Sequence, residues 1–284
     1  MAMGTSLHVV VWARGAAAVR LADLAVTRVH LLEKCWSRFR PDSELTLLHA
    51  RAGRGLVPVS ADLHRLVATM LAAHAWSEGD VDASVLGSML AMGYGADFTA
   101  VTASSLPPVW TPVPAAGMAG VHLEPGAIGL ARGVGLDPGA IGKGLAGDIV
   151  TDEIAEAGAA AVLVSLGGDI VTRGAPEGGW RISLRDDRTP GRDECDVLTL
   201  TGSARAVATS STLRRRWAGR HHVVDPRTGS PVDRDIVQAS VVTDCGWRAE
   251  AGATVALVRG SASSTWLAER GCTAYLLEGA TAHA

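Results

Sequence analysis

The chain has 284 residues, 48% of them apolar and 19% charged, with a formal net charge of −3. That length and apolar content exclude a disordered chain and allow one large core, either a single domain over 1–284 or two intimate lobes. The charge balance excludes the broad basic field that draws a protein to nucleic acid.

Residues 6–12 alternate and are β-branched, which predicts a strand. Residues 17–39 place Val19, Leu21, Leu24, Val26, Val29, Leu32 and Trp36 at broadly helical spacing, ended by Arg40-Pro41-Asp42-Ser43. Ser60 is the expected N-cap of a helix running to about Trp76. Gly79-Asp80-Val81-Asp82 reads as a turn, 84–92 as a short helix, and the Pro- and Thr-rich 100–118 as a surface connection. A hairpin is expected over Val121–Leu130, and a helix from Gly139 to about Ala157. Strands follow at Ala161–Ser165, Trp180–Leu184, Val197–Leu200, Arg205–Ala208, His222–Val224 and Val237–Thr243. The chain ends with helices at Trp247–Val258 and Ser264–Glu269 and a strand near Thr273–Leu277. This order lacks a strict βαβ rhythm. It predicts an α+β fold with a mixed or antiparallel sheet and flanking helices.

Cys35, Cys195, Cys245 and Cys272 stand far apart with no C-x-x-C. The spacing argues against a zinc knuckle or a dense disulfide framework and for reduced, structural thiols. The stretch Met1–His8 shows no basic region leading into an apolar one, and no apolar run approaches the roughly 18 residues of a membrane span. A cytoplasmic location is expected for the chain as written, or export if a leader has been trimmed, with no transmembrane segment.

Four stretches carry candidate chemistry. The first is Leu136-Asp137-Pro138-Gly139-Ala140-Ile141-Gly142-Lys143-Gly144, which holds one of only two lysines in the chain. Glycines allow close backbone approach, a helix start offers unpaired N–H groups, and a lysine adds a compact charge, which together suit phosphate. It is neither a Walker A loop nor G-x-G-x-x-G. A helix start with a merely solvated lysine accounts for it as well. The second is Ser165-Leu166-Gly167-Gly168-Asp169, where a glycine pair at a strand end admits a ligand or simply makes a turn.

The third stretch is His221–Pro231, in which His222 precedes a tight Asp-Pro-Arg-Thr-Gly turn. Histidine suits proton transfer near neutral pH, although a lone one is more often structural. The fourth is Glu250 and Thr254, spaced i,i+4 on one helix face. Their oxygens are hard donors suited to Mg²⁺, or else a solvated carboxylate and a packed hydroxyl. No G-x-S-x-G or S-x-x-K nucleophile is present; Ser210-Ser211-Thr212 can line a pocket or cap a turn.

Taken together, these stretches resemble the ApbE family of FAD:protein FMN transferases over nearly the whole chain. The resemblance begins at Met3-Gly4-Thr5 and passes through Ser37–Glu44, Asp82–Val85, Asp137–Asp148, Val164–Ile170 and Ala206–Ser210. It closes with His222-Val-Val-Asp-Pro-Arg-Thr-Gly, its most specific element, and the Glu250–Thr254 helix.

The resemblance implies transfer of FMN from FAD to a Thr or Ser hydroxyl of a partner flavoprotein, an FMN-binding domain protein, with AMP as leaving group and Mg²⁺ or Mn²⁺ as cofactor. It implies flavin nucleotide contacts at Met3 and Phe39, an adenosine pocket at Asp80, Val81 and Asp82, and FAD contacts at Asp137, Lys143 and Val224. It implies metal ligation by the Ala140 carbonyl, Glu250 and Thr254, and a general-base or orienting role for His222. Lys143 would act in catalysis as well as binding.

Three departures bear on this. Glu250 stands where the family has Asp, Asp137-Pro138 replaces a more usual Asp-Leu or Asp-Ile, and aromatics between 87 and 98 are limited to Tyr94 and Phe98. Glu is one methylene longer than Asp, and Mg²⁺ demands near-ideal geometry at about 2.1 Å. FAD pyrophosphatase activity, with water as acceptor, and non-catalytic FAD binding are the alternative readings.

Overall fold

The structure is a computed structural model that describes residues 1–96, 98, 101, 110–189 and 196–279. Cys195 and residues 100 and 102–109 of the expected surface connection lie outside the described residues. In chain order the elements are β1 (Leu7–Trp12), α1 (Ala17–Trp36), α2 (Glu44–His49), β2 (Leu56–Pro58), α3 (Ala61–Trp76), α4 (Leu86–Ala91), β3 (Val121–Glu124), β4 (Ala127–Leu130), α5 (Gly142–Glu156), β5 (Ala161–Leu166), β6 (Asp169–Arg173), β7 (Trp180–Leu184) and β8 (Asp196–Leu200). They continue with β9 (Ala204–Ser211), β10 (Arg216–Trp217), β11 (Arg220–His221), β12 (Val224–Asp225), β13 (Ser230–Pro231), β14 (Ile236–Thr243), α6 (Gly246–Arg259), α7 (Ser263–Glu269) and β15 (Thr273–Glu278).

Six strands form the central sheet in the order β1-β5-β6-β9-β14-β15, every neighbouring pair antiparallel. Helices α1, α5 and α6 pack on one face. On the other face the β7–β8 hairpin sets Trp180, Ile182, Leu184 and Leu200 against Leu163 and Val207. The fold is therefore α+β with antiparallel sheets and flanking helices. Among the described residues no helix is long and apolar enough to cross a membrane, and Cys35, Cys245 and Cys272 are free thiols.

Local chemistry explains most boundaries. The Ser60 side chain accepts from the Leu63 N–H at 3.2 Å and caps α3 as expected. The buried stripe of α1 is Leu21, Ala25, Val29, Leu32 and Trp36, whereas Val19 and Leu24 face outward.

Several elements differ from expectation; strands β2, β6, β10 and β13 match none of the expected strands. Helix α2 was not foreseen; Ser43 accepts from Thr46 N–H at 3.0 Å and starts it. Helix α5 begins at Gly142 rather than Gly139, because Asp137 Oδ1 takes the Gly139 N–H at 2.7 Å and holds 138–141 in a turn. The expected strand His222–Val224 is split: β11 ends at His221 and β12 starts at Val224, leaving His222 and Val223 between two short hairpins.

Candidate functional site

The site grows out of the crossing of α5 and α6, whose first turns touch backbone to backbone. A Cβ on Gly144 would lie 2.2 Å from the Gly246 carbonyl oxygen, and one on Gly246 would lie 2.3 Å from that of Gly144. Only glycine allows so close a crossing. Each helix start is then capped by a carboxylate from the other helix. Asp148 of α5 accepts from Gly246 N–H at 2.7 Å and Trp247 N–H at 3.0 Å. Glu250 of α6 accepts from Gly144 N–H at 2.8 Å. Negative charge at a helix N-terminus satisfies free N–H groups and opposes the helix dipole.

Glu250 has a second partner. Its other oxygen accepts from the Lys143 ammonium, which also pairs with Asp169 Oδ2 at 2.8 Å. Asp169 is fixed in turn by the Thr209 N–H on β9, 3.0 Å from Oδ1. Glu250 is 2% exposed and Asp169 5%. Two buried carboxylates thus share one ammonium, a formal net charge of −1 when both are ionised. Burial pushes the Glu250 carboxyl up to about 7 against the pull of Lys143 and the Gly144 amide, with Asp169 adding to the rise. For Lys143, burial alone would lower the ammonium, but Asp169 and Glu250 reverse this and hold it above the usual lysine range.

Beside this cluster lies a cavity of about 450 Å³, within the range of small-molecule sites. Its wall includes Met3, Phe39, Asp80, Val81, Asp82, Asp137, Ala140, Lys143, His222, Val224 and Thr254. These are the residues singled out from the sequence, all but one, brought together from six separate segments. Glu250 is off the wall, behind Lys143. Met3 is anchored by its N–H donating to Glu33 Oε1 at 2.6 Å.

Sequence reasoning did not single out several partners that shape this wall. Arg38 pairs with Asp137 Oδ2 at 2.8 Å, donates to the Tyr94 carbonyl at 2.8 Å, and stacks 4.0 Å from the Phe39 ring centroid and 4.6 Å from that of Tyr94. The Asp80 carboxylate is held by Arg259 at the end of α6 and by Arg227 at 3.3 Å. Asp82 Oδ1 accepts from the N–H and hydroxyl of Ser84 at 2.8 and 2.6 Å. The carboxylates of Asp80 and Asp82 are thus committed to the protein, so the wall they form is shaped by backbone and by fixed charge. His222 Nδ1 is buried with no hydrogen-bond partner among the described residues. Burial, with Arg215, His221 and Lys143 nearby, pushes its imidazole down to about 3, so the ring is neutral.

The donor set suits a hard divalent cation in type. Because the Gly144 N–H goes to Glu250, it does not close a helical turn on the Ala140 carbonyl, and Ala140 lies on the cavity wall. The Thr254 hydroxyl donates to the Glu250 carbonyl at 3.2 Å and keeps its lone pairs. Carbonyl, hydroxyl and carboxylate oxygens are the ligands Mg²⁺ prefers. The two Glu250 oxygens are engaged by the Lys143 ammonium and the Gly144 N–H. No group of three or more His, Cys, Asp or Glu side chains that could hold a metal occurs among the described residues.

Comparison with known proteins places this arrangement. The ApbE family model matches residues 3–276. An FAD:protein FMN transferase of Treponema pallidum is 28% identical over 285 residues, covering 92% of this chain and 77% of that protein. One from Klebsiella pneumoniae is 31% identical over 108 residues, covering 36% of this chain but only 31% of that protein's length. In structure, the flavin transferase ApbE from Vibrio cholerae superposes with a TM-score of 0.81 at 21% identity, covering 98% of this chain and 91% of that one. With its family model matched almost end to end, the chain belongs to the ApbE family.

Proposed function

We propose that the chain is a magnesium-dependent FAD:protein FMN transferase, moving FMN from FAD to a threonine or serine hydroxyl of a partner flavoprotein and releasing AMP. The observation that carries this reading is the cavity whose wall joins the 137–143 loop, Lys143 included, to His222, Val224 and Thr254. The names of the relatives point the same way.

The Ala140 carbonyl, Glu250 and Thr254 would hold the cation. When bound, it supplies charge neutralisation to the diphosphate, a large part of catalysis in phosphoryl transfer. The chain's own residues do the rest. Phe39, Met3 and the Arg38–Asp137 pair wall in the flavin nucleotide, and residues 80–82 border the adenosine. The acceptor hydroxyl oxygen forms the new P–O ester bond as the bond from the FMN phosphorus to the AMP phosphate breaks. AMP leaves with the bridging oxygen. The hydroxyl proton passes to His222, whose Nδ1 has no competing partner. A neutral ring suits that task, and the negative charge of a bound diphosphate raises its basicity.

Incubation with FAD, Mg²⁺ and a domain carrying an acceptor threonine tests the reading by the nucleotides released. Release of AMP only when the acceptor is present is expected. AMP with free FMN and no need for acceptor would make the chain a pyrophosphatase. Retained FAD without AMP would make it a flavin-binding protein. His222→Ala should lower the rate far more than FAD affinity.

A further inference from the structure

Between β9 and β11 the chain carries three consecutive arginines, and they differ in surroundings. Arg214 is 66% exposed and pairs with Asp187 at 2.6 Å. Arg216 donates to the Thr212 carbonyl at 3.1 Å. Arg215 lies on the cavity wall with Lys143, Ser210 and His222. Its backbone is in the left-handed region at φ +48°, where a side chain other than glycine costs about 1–2 kcal/mol. Its guanidinium makes no hydrogen bond or ion pair with any described residue.

The charges on the wall show what is missing without it. Arg38 is matched by Asp137 and Arg40 by Asp42. Lys143 is matched by two carboxylates. His222 is neutral. Among the described residues of the wall, Arg215 is the cation with no opposing carboxylate to offer a doubly negative diphosphate. Arg215 shares the cavity wall with His222, the group expected to meet the acceptor hydroxyl.

We propose that Arg215 is a phosphate-binding residue of this site, its planar fork donating to non-bridging oxygens of the substrate diphosphate. The proposal rests on the reading of FAD as substrate. A planar guanidinium matches phosphate oxygens two at a time, which a lysine does not. The positive φ at Arg215 is accompanied by no hydrogen bond or ion pair of its side chain to any described residue. Strain of that kind, held on a cavity wall, is expected where a ligand supplies the missing interaction.

The test is fluorescence titration of FAD, with Mg²⁺ present, into the intact chain and three variants. Arg215→Gly suits the positive φ and should melt at or above the temperature of the parent, yet bind FAD about 10- to 100-fold more weakly, the loss expected for a charge-assisted hydrogen-bonded pair. Its FAD affinity should depend less on salt. Arg215→Lys should recover part of the loss. Arg214→Ala should bind as the parent does. Parent-like FAD affinity in Arg215→Gly overturns the proposal and leaves the FAD reading standing. A loss accompanied by a lowered melting temperature and an unchanged salt dependence also overturns it. Absence of FAD binding by the parent overturns both.

Discussion

Neutralising Lys143 and neutralising Glu250 should have opposite consequences, although the two groups are partners. The Lys143–Asp169–Glu250 cluster holds one positive and two negative charges in buried surroundings. With both carboxylates ionised, Lys143→Met takes it from −1 to −2 and strands them without a cation. Removing one partner of a buried pair costs about 3–5 kcal/mol, and we take about 3 because the Lys143 side chain is 22% exposed and solvent screens part of the effect. At about 2–4 °C per kcal/mol for a domain of this size, the melting temperature in EDTA should fall by about 6–12 °C. Glu250→Gln takes the cluster to neutrality and keeps an oxygen for the Gly144 N–H, so its stability should stay within about 1 kcal/mol of the parent. The two also diverge with Mg²⁺. Lys143→Met should be restabilised by saturating Mg²⁺, by about 2.7 kcal/mol at a hundredfold excess over Kd, and Glu250→Gln should not respond. Equal melting temperatures in EDTA, or a larger fall for Glu250→Gln, would refute this charge accounting.

Two other expectations concern the scaffold. Gly144→Ala places a Cβ 2.2 Å from the Gly246 carbonyl, backbone against backbone, so α5 and α6 must separate and both reciprocal caps must break. The variant should unfold at least about 3 kcal/mol more readily by urea titration, and parent-like stability would rule out the crossing described above. His49 is pushed down to about 4 by burial, with the Leu136 N–H donating to its Nε2 at 3.0 Å. Its folded value lies below the unfolded one of about 6.5, so between the two the unfolded chain binds more protons. Stability should fall by about 1.4 kcal/mol per pH unit from this group as pH drops from about 6.5 towards 4. His49→Gln should flatten that slope; an identical slope would refute the assignment.

Local patterns in the sequence made much of the fold and site legible. Alternation marked β1 and apolar, β-branched runs marked β5, β9, β14 and β15 but not β6, Ser60 marked the start of α3, and the i,i+4 pair Glu250 and Thr254 fell on one helix as expected. The glycines around Lys143 were visible too, but their reason was not. They admit the neighbouring helix as much as any ligand, and that contact spans about a hundred residues of chain. The partners that organise the site are long-range in the same way. Asp169 on Lys143, Asp148 on the start of α6, and Arg38 on Asp137 leave no periodic trace in the sequence. His222 was picked out by its motif while its strand was misjudged, because two short hairpins meet there and neither has enough residues to show a pattern. Arg215 was hidden among three arginines until the cavity distinguished the middle one.

Intact mass spectrometry of an acceptor domain bearing one candidate threonine, after incubation with the chain, FAD and Mg²⁺, tests the central claim most directly. The account predicts a gain of one FMN phosphoester on that domain, matched mole for mole by AMP and lost when the threonine is replaced by valine. An unmodified acceptor and no AMP, from protein that binds FAD and Mg²⁺, would contradict it.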